Sequence, residues 1–204
     1  MPSTSRFSNN ILRILYQCLS EFKVMKFKRP VICVVGSHKE EWKELTIPLG
    51  KFLAESSCHL LTGAGAGVME TVSRAFTEVE DRKGACLGVY PVESIEDIKL
   101  PKSKYPNQYV EIHIVTPLSD KAATDAVPFS RNMVNIMSSD VIIALPGWHG
   151  TRNEVSLALQ LGKPLILFGP VENFKNFPED AFSVDTIEEL FTFLRDAINK
   201  KPKL

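Results

Sequence analysis

Two rhythms of apolar residues alternate along the chain. Short apolar runs, rich in β-branched residues, stand at 31–35, 59–62, 85–90, 110–115, 140–145 and 164–168. Between them, apolar residues recur three and four apart at 42–54, 68–79, 129–137, 154–161 and 187–198. An unbroken apolar run suits a strand covered on both faces, whereas the longer spacing suits a helix with one face on the core. Parallel strands need crossover connections, which are usually helical. The alternation therefore predicts an α/β fold, a doubly wound and mainly parallel sheet with helices on both faces. Two proline-rich or polar excursions, at 91–109 and 116–127, fall at carboxyl ends of strands and read as irregular. Ahead of the first strand, Ile11, Leu12, Leu15, Tyr16 and Leu19 recur at helical spacing and lead into a basic connector. This divides the chain into an N-terminal helix and connector over 1–27, packed on the rest or on a second subunit, and a single domain over 28–204.

Charge and cysteine usage narrow the functional classes. Lysine plus arginine (24) balance aspartate plus glutamate (24), so the basic footprint of a nucleic-acid binder is absent and no nucleic-acid partner is expected. Cys18, Cys33, Cys58 and Cys86 form no CxxC pair and read as reduced thiols, as in a cytoplasmic protein. No apolar run is long enough for a bilayer, so no membrane partner is expected. Residues 1–20 carry Arg6, Arg13 and several serines without an acid, a pattern shared with organellar transit peptides. The amphipathic helix explains the same residues. His38, His59, His113 and His149 lack metal-ligand spacing, and no metal site is predicted.

The candidate chemistry lies at strand-to-helix turns. Gly36 and Ser37 end the first run. Thr62-Gly-Ala-Gly-Ala-Gly-Val-Met-Glu70 follows the second and opens a helix, so Gly63, Gly65, Gly67 and Met69 stand where backbone N–H groups approach an anion at a helix start. The same small residues also suit tight packing, and the spacing is not the dinucleotide GxGxxG. Pro146-Gly-Trp-His-Gly-Thr-Arg-Asn-Glu154 follows the fifth run. There Gly147, Trp148, His149 and Gly150 form the turn and Thr151 offers a hydroxyl to a phosphate. Thr151 with Glu154 three residues on also reads as a capping box.

Together these segments resemble the LOG-like proteins, misnamed lysine decarboxylases. The stretch 146–154 is similar to their PGGxGTxxE signature and 62–70 to their TGGGxGxMEA element, while Ser130-Arg131-Asn132-Met133 sits where they carry an arginine. The resemblance spans about 31–169 and implies a Rossmann-like nucleotide-binding domain, usually a homodimer or higher homo-oligomer. In the family's enzymes it implies hydrolysis of a nucleoside 5′-monophosphate to base and ribose 5-phosphate without a cofactor, with Arg131 and Glu154 as catalytic residues. Glu154 would complement the positive charge on the sugar, and Arg131 would pair with the phosphate or the base. Trp148 replaces the second glycine of PGG and puts bulk there. Arg131-Asn132 and Asn153-Glu154 replace the Arg-Lys and Glu-Glu of the enzymes. This pattern is closer to a branch resembling molybdenum-cofactor carriers, which implies a pterin phosphate, the molybdenum cofactor, as a ligand held without turnover. The expected partner is thus a small nucleotide or pterin phosphate.

Overall fold

A computed structural model of the chain describes residues 29–92, 105–118 and 130–199. The helix expected at 11–19, with Cys18, and most of both excursions lie outside these residues. The described elements run β1 (Val31–Val35), α1 (Lys43–Glu55), β2 (His59–Thr62), α2 (Val68–Thr77), β3 (Cys86–Pro91), β4 (Ile112–Thr116), α3 (Arg131–Met137), β5 (Val141–Ala144), α4 (His149–Gln160), β6 (Leu165–Phe168), β7 (Ser183–Val184) and α5 (Ile187–Asn199). A 3₁₀ turn, Val171–Phe174, follows β6.

The seven strands form one sheet in the order β4-β3-β2-β1-β5-β6-β7. Every pairing is parallel, with Ile32 opposite Leu60 on one side and Val141 on the other. The chain builds outward from β1 to β4 and then resumes on the other side of β1. This reversal puts a topological switch between β1 and β5, the place where such sheets open a crevice at their carboxyl ends.

Alternation along the strands divides the core in two. Ile32, Val34, Leu60, Ile143 and Ile166 point to one face and meet Leu49 and Leu53 of α1, Val72 and Phe76 of α2, and Leu190 and Leu194 of α5. Cys33, Val35, Leu61, Ile142 and Leu167 point to the other and meet Ile136 of α3 with Val155 and Ala158 of α4. Each fully buried side chain of this size contributes about 1.5–3 kcal/mol relative to exposure. The α/β, doubly wound reading of the sequence thus holds. Cys33, Cys58 and Cys86 are free and buried, and no helix among the described residues is long and apolar enough to cross a membrane.

Several boundaries depart from the sequence reading, among them the fourth strand, expected over 110–115 and found at Ile112–Thr116. Pro91, expected to end the third strand, is its last residue, paired with Thr116 of β4. The helix expected from about Glu154 begins at His149, so Gly150 and Thr151 belong to its first turn rather than to a loop.

Candidate functional site

Three connections meet at the carboxyl rim beside the switch. The first follows β1, where the Ser37 amide bonds the Pro146 carbonyl at 3.2 Å and so ties the end of β1 to the end of β5. The Ser37 hydroxyl accepts from the amides of Lys39 and Glu40 at 3.1 Å and donates to the Glu40 carboxylate. That carboxylate is held below its ordinary range, first by the Ser37 hydroxyl and also by the Trp148 side chain.

The second connection is the glycine-rich turn between β2 and α2. Gly67 is left-handed at φ +65, and a Cβ there would run into the backbone of Ser37 and His38. Its role is therefore to let the β1–α1 loop cross closely over the turn. The Val68 amide, bonded to the Ser37 carbonyl at 2.9 Å, fixes that crossing. The turn's carbonyls are also engaged: Gly63 by Arg131 Nη1 at 2.9 Å, Ala64 by the Asn107 amide at 2.8 Å and Gly65 by Asn107 Nδ2 at 2.9 Å.

The third connection joins β5 to α4. Among the described residues no side chain caps this helix, and its N-cap is Trp148 rather than Thr151. The capping box suggested by Thr151 and Glu154 does not form, because both residues lie inside the helix. Thr151 instead packs against Gly147, where a Cβ would collide with its Oγ1. Uncapped first-turn amides with the helix dipole behind them are suited to meeting an anion.

A cavity of about 880 Å³ opens between the three connections. Of the residues singled out from sequence, Gly36, Ser37, Gly63, Gly65, Met69, Arg131, Trp148, Gly150, Thr151 and Glu154 line it. Gly147 and His149 line a smaller neighbouring cleft, which shares Trp148 as its wall. Gly67 lies on neither, for the packing reason given above. Trp148, whose bulk replaces the second glycine of the family signature, is 61% exposed and lines both the cavity and the cleft. Tyr105, Asn107 and Asn132 also line the cavity and were not singled out. Tyr105 and Asn107 come from a proline-rich stretch without periodicity, and only contact with Arg131 and the glycine turn reveals their part.

Arg131, 8% exposed at the start of α3, straps the site together. Its Nη1 donates to the carbonyls of Gly63 and Val89 at 2.9 and 3.2 Å, its Nη2 donates to the Tyr105 hydroxyl at 3.2 Å, and its guanidinium lies 5.1 Å from the Tyr105 ring centre. Gly63 is where this strap passes closest. A Cβ there would stand 2.6 Å from Nη1 and 3.1 Å from the Met69 sulfur. Gly63→Ala is expected to destabilise by about 1–3 kcal/mol through overpacking. Gly150→Ala, with nothing within 4 Å of the added carbon, is expected to gain about 0.5–1 kcal/mol of helix propensity. Thermal unfolding of the two variants should move in opposite directions.

Glu154 lies deep in the cavity and keeps part of its surface open to it. Burial pushes its pKa up to about 7, against the smaller opposing effects of Arg131 and the nearby Asn135 amide. Asn135 itself is wholly buried, and neither of its side-chain polar atoms reaches a hydrogen-bond partner. It therefore influences the carboxyl from short of full bonding geometry. On the sheet beneath, burial first and the Glu154 carboxyl second push the Cys33 thiol far up, so it stays an inert thiol.

A family model for the SLOG cluster4 family matches residues 29–191. The chain belongs to this family. Membership bears out the LOG-like resemblance carried by 62–70, 130–133 and 146–154. Among solved structures, this SLOG protein is similar to the molybdenum cofactor binding protein of the phototrophic bacterium Rippkaea orientalis, at 28% identity and TM-score 0.65 over 84% of this chain and 98% of that one. It is also similar to the molybdenum cofactor carrier protein of Chlamydomonas reinhardtii, at 26% identity and TM-score 0.63 over 85% of this chain and 100% of the other. An uncharacterized protein of Archaeoglobus fulgidus is 25% identical over 162 residues, which are 77% of this chain and 93% of that protein.

Proposed function

We propose that this SLOG protein binds a phosphate-bearing small molecule, a pterin phosphate of the molybdenum-cofactor type, and releases it unchanged. The observation that carries this reading is the uncapped start of α4, where Gly150 and Thr151 face the 880 Å³ cavity. A phosphate seated there is met by first-turn amides and the Thr151 hydroxyl. The cavity is large enough for a ligand of cofactor size. The likeness to two molybdenum-cofactor proteins along nearly their whole length favours a carrier.

Hydrolysis of a nucleoside 5′-monophosphate is the second reading, favoured by one observation: Arg131 and Glu154 face the same cavity. Its chemistry needs an ionised carboxylate beside the sugar. With its pKa pushed up to about 7, Glu154 is only partly ionised near neutrality, and Arg131 is engaged by backbone carbonyls. The engaged Arg131 suits holding better than cleaving, while a carboxyl that gains or loses its proton near neutrality serves either reading. The homodimer implied by the family resemblance belongs to either reading and is read by light scattering.

Mass spectrometry of the small molecules released on denaturing the purified protein tests the carrier reading, together with incubation with AMP. A pterin phosphate in the first experiment and no free adenine in the second are the expected results. Adenine release that disappears in Glu154→Gln would replace the carrier with the enzyme. Thr151→Val removes the hydroxyl and keeps the shape, so phosphate-ligand affinity is expected to fall about tenfold, the worth of one charge-assisted hydrogen bond. Calorimetry reads that change, and unaltered affinity would leave Thr151 a packing residue over Gly147.

A further inference from the structure

Across Trp148 from the main cavity lies a second cleft of about 390 Å³. Its walls come from different places in the chain: Trp42 from the β1–α1 connection, Trp148 from the start of α4, and Glu172, Asn173, Asn176 and Phe177 from the segment after β6. The protein has two tryptophans, and both wall this cleft. Glu40, bonded to Ser37, lines the cleft as well.

The position of the cleft adds to its composition. Both pockets share the connections after β1 and β5; the main cavity adds the turn after β2, whereas this cleft adds the segment after β6. The two therefore flank the switch between β1 and β5, and Trp148 stands between them. Doubly wound sheets accommodate ligands with two halves across this crevice.

Composition selects the chemistry of the second half. Indole and phenyl walls favour a flat ring. A carboxylate accepts two parallel N–H donors, and side-chain amides supply both donors and acceptors around it. A ring N–H next to an exocyclic amino group matches the carboxylate, and guanine and pterin share that 2-amino-4-oxo edge. Adenine offers its amino group beside an acceptor and leaves half of the carboxylate unmatched. We infer that this cleft is a heterocycle subsite taking the 2-amino-4-oxo ring of a guanine or a pterin, stacked against the tryptophans with Glu172 accepting from its two N–H donors. The subsite extends the phosphate-ligand reading across Trp148 without depending on it.

Nitrogen-correlated proton spectra of the full chain give one indole N–H peak per tryptophan, assigned with Trp42→Phe and Trp148→Phe. Titration with guanosine, neopterin and adenosine is expected to shift both peaks saturably with the first two and about tenfold more weakly with adenosine. The difference between guanosine and neopterin affinities then says which ring the cleft prefers. Glu172→Gln, an exposed substitution that should not disturb folding, is expected to weaken guanosine or neopterin about tenfold. Indole peaks that ignore both ligands, equal response to adenosine, or a Glu172→Gln variant that binds as the parent does would each overturn the assignment. These probes carry no phosphate, so failure of the α4 anion site would appear only in the Thr151→Val calorimetry and not here.

Discussion

Arg131→Ala is expected to lower stability by about 3 kcal/mol, the low end of the loss when one member of a buried charged network is removed. Two effects add. The carbonyls of Gly63 and Val89 lose their guanidinium donor, each at about 1–3 kcal/mol if left dry. Glu154 loses the positive neighbour that restrains its pKa. Two effects relieve the loss: the cavity admits water to the exposed carbonyls, and Glu154 responds by staying protonated. The expected reading is a clear drop in the urea midpoint with an unchanged denaturant slope, accompanied by loss of ligand binding as the glycine turn and Tyr105 separate. Arg131→Lys keeps charge but not the fork that spans two carbonyls and the Tyr105 hydroxyl, so it should fall between parent and alanine. A midpoint for Arg131→Ala equal to the parent's would show that the turn holds its shape without the strap.

The parts of this architecture that could be read from the chain are those in which one physical demand dominates. β1, β2 and β5 are covered on both faces, so their residues are nearly all apolar and their limits were predicted closely. β7, at Ser183–Val184, is too short to carry any period and was missed. The start of α4 was misplaced because Gly147 and Gly150 read as loop residues. Gly150 nevertheless stands in the first turn of the helix, with open space where a side chain would be. Glycine motifs marked the correct rim, but they could not distinguish a glycine that meets a ligand from one that meets its own chain. Gly67 is of the second kind, and Gly63 makes room for Arg131. The sequence places the bulk of Trp148 where the family keeps a glycine, but does not say which pockets it would wall. In the structure it is largely exposed and stands between the cavity and the cleft. The strap itself was illegible in sequence because it joins α3, β3, the β2–α2 turn and Tyr105, which no local pattern links.

Glu154→Gln is expected to stabilise the protein at about pH 8, by up to about 3 kcal/mol, and to leave it nearly unchanged at about pH 4. The sign follows from the direction of the shift. In the unfolded chain the carboxyl ionises near its ordinary value of 4.5, whereas in the folded chain burial holds the proton until about pH 7. Between these values the folded state binds more protons, so stability falls as pH rises through the window, and the full penalty stands above it. Glutamine keeps the shape, has no charge to bury, and is free of that penalty. Arg131 does not reverse the outcome, because its attraction for the carboxylate is already part of the net upward shift. Urea midpoints of parent and variant at the two pH values should therefore coincide in acid and separate in base, and equal midpoints in base would mean that Glu154 ionises in the fold without cost. A carboxyl that weakens its own fold near neutrality, open to a cavity shared with Arg131 and Thr151, is placed for contact with a ligand rather than for packing. The stabilised variant should accordingly bind the proposed pterin phosphate less well than the parent does.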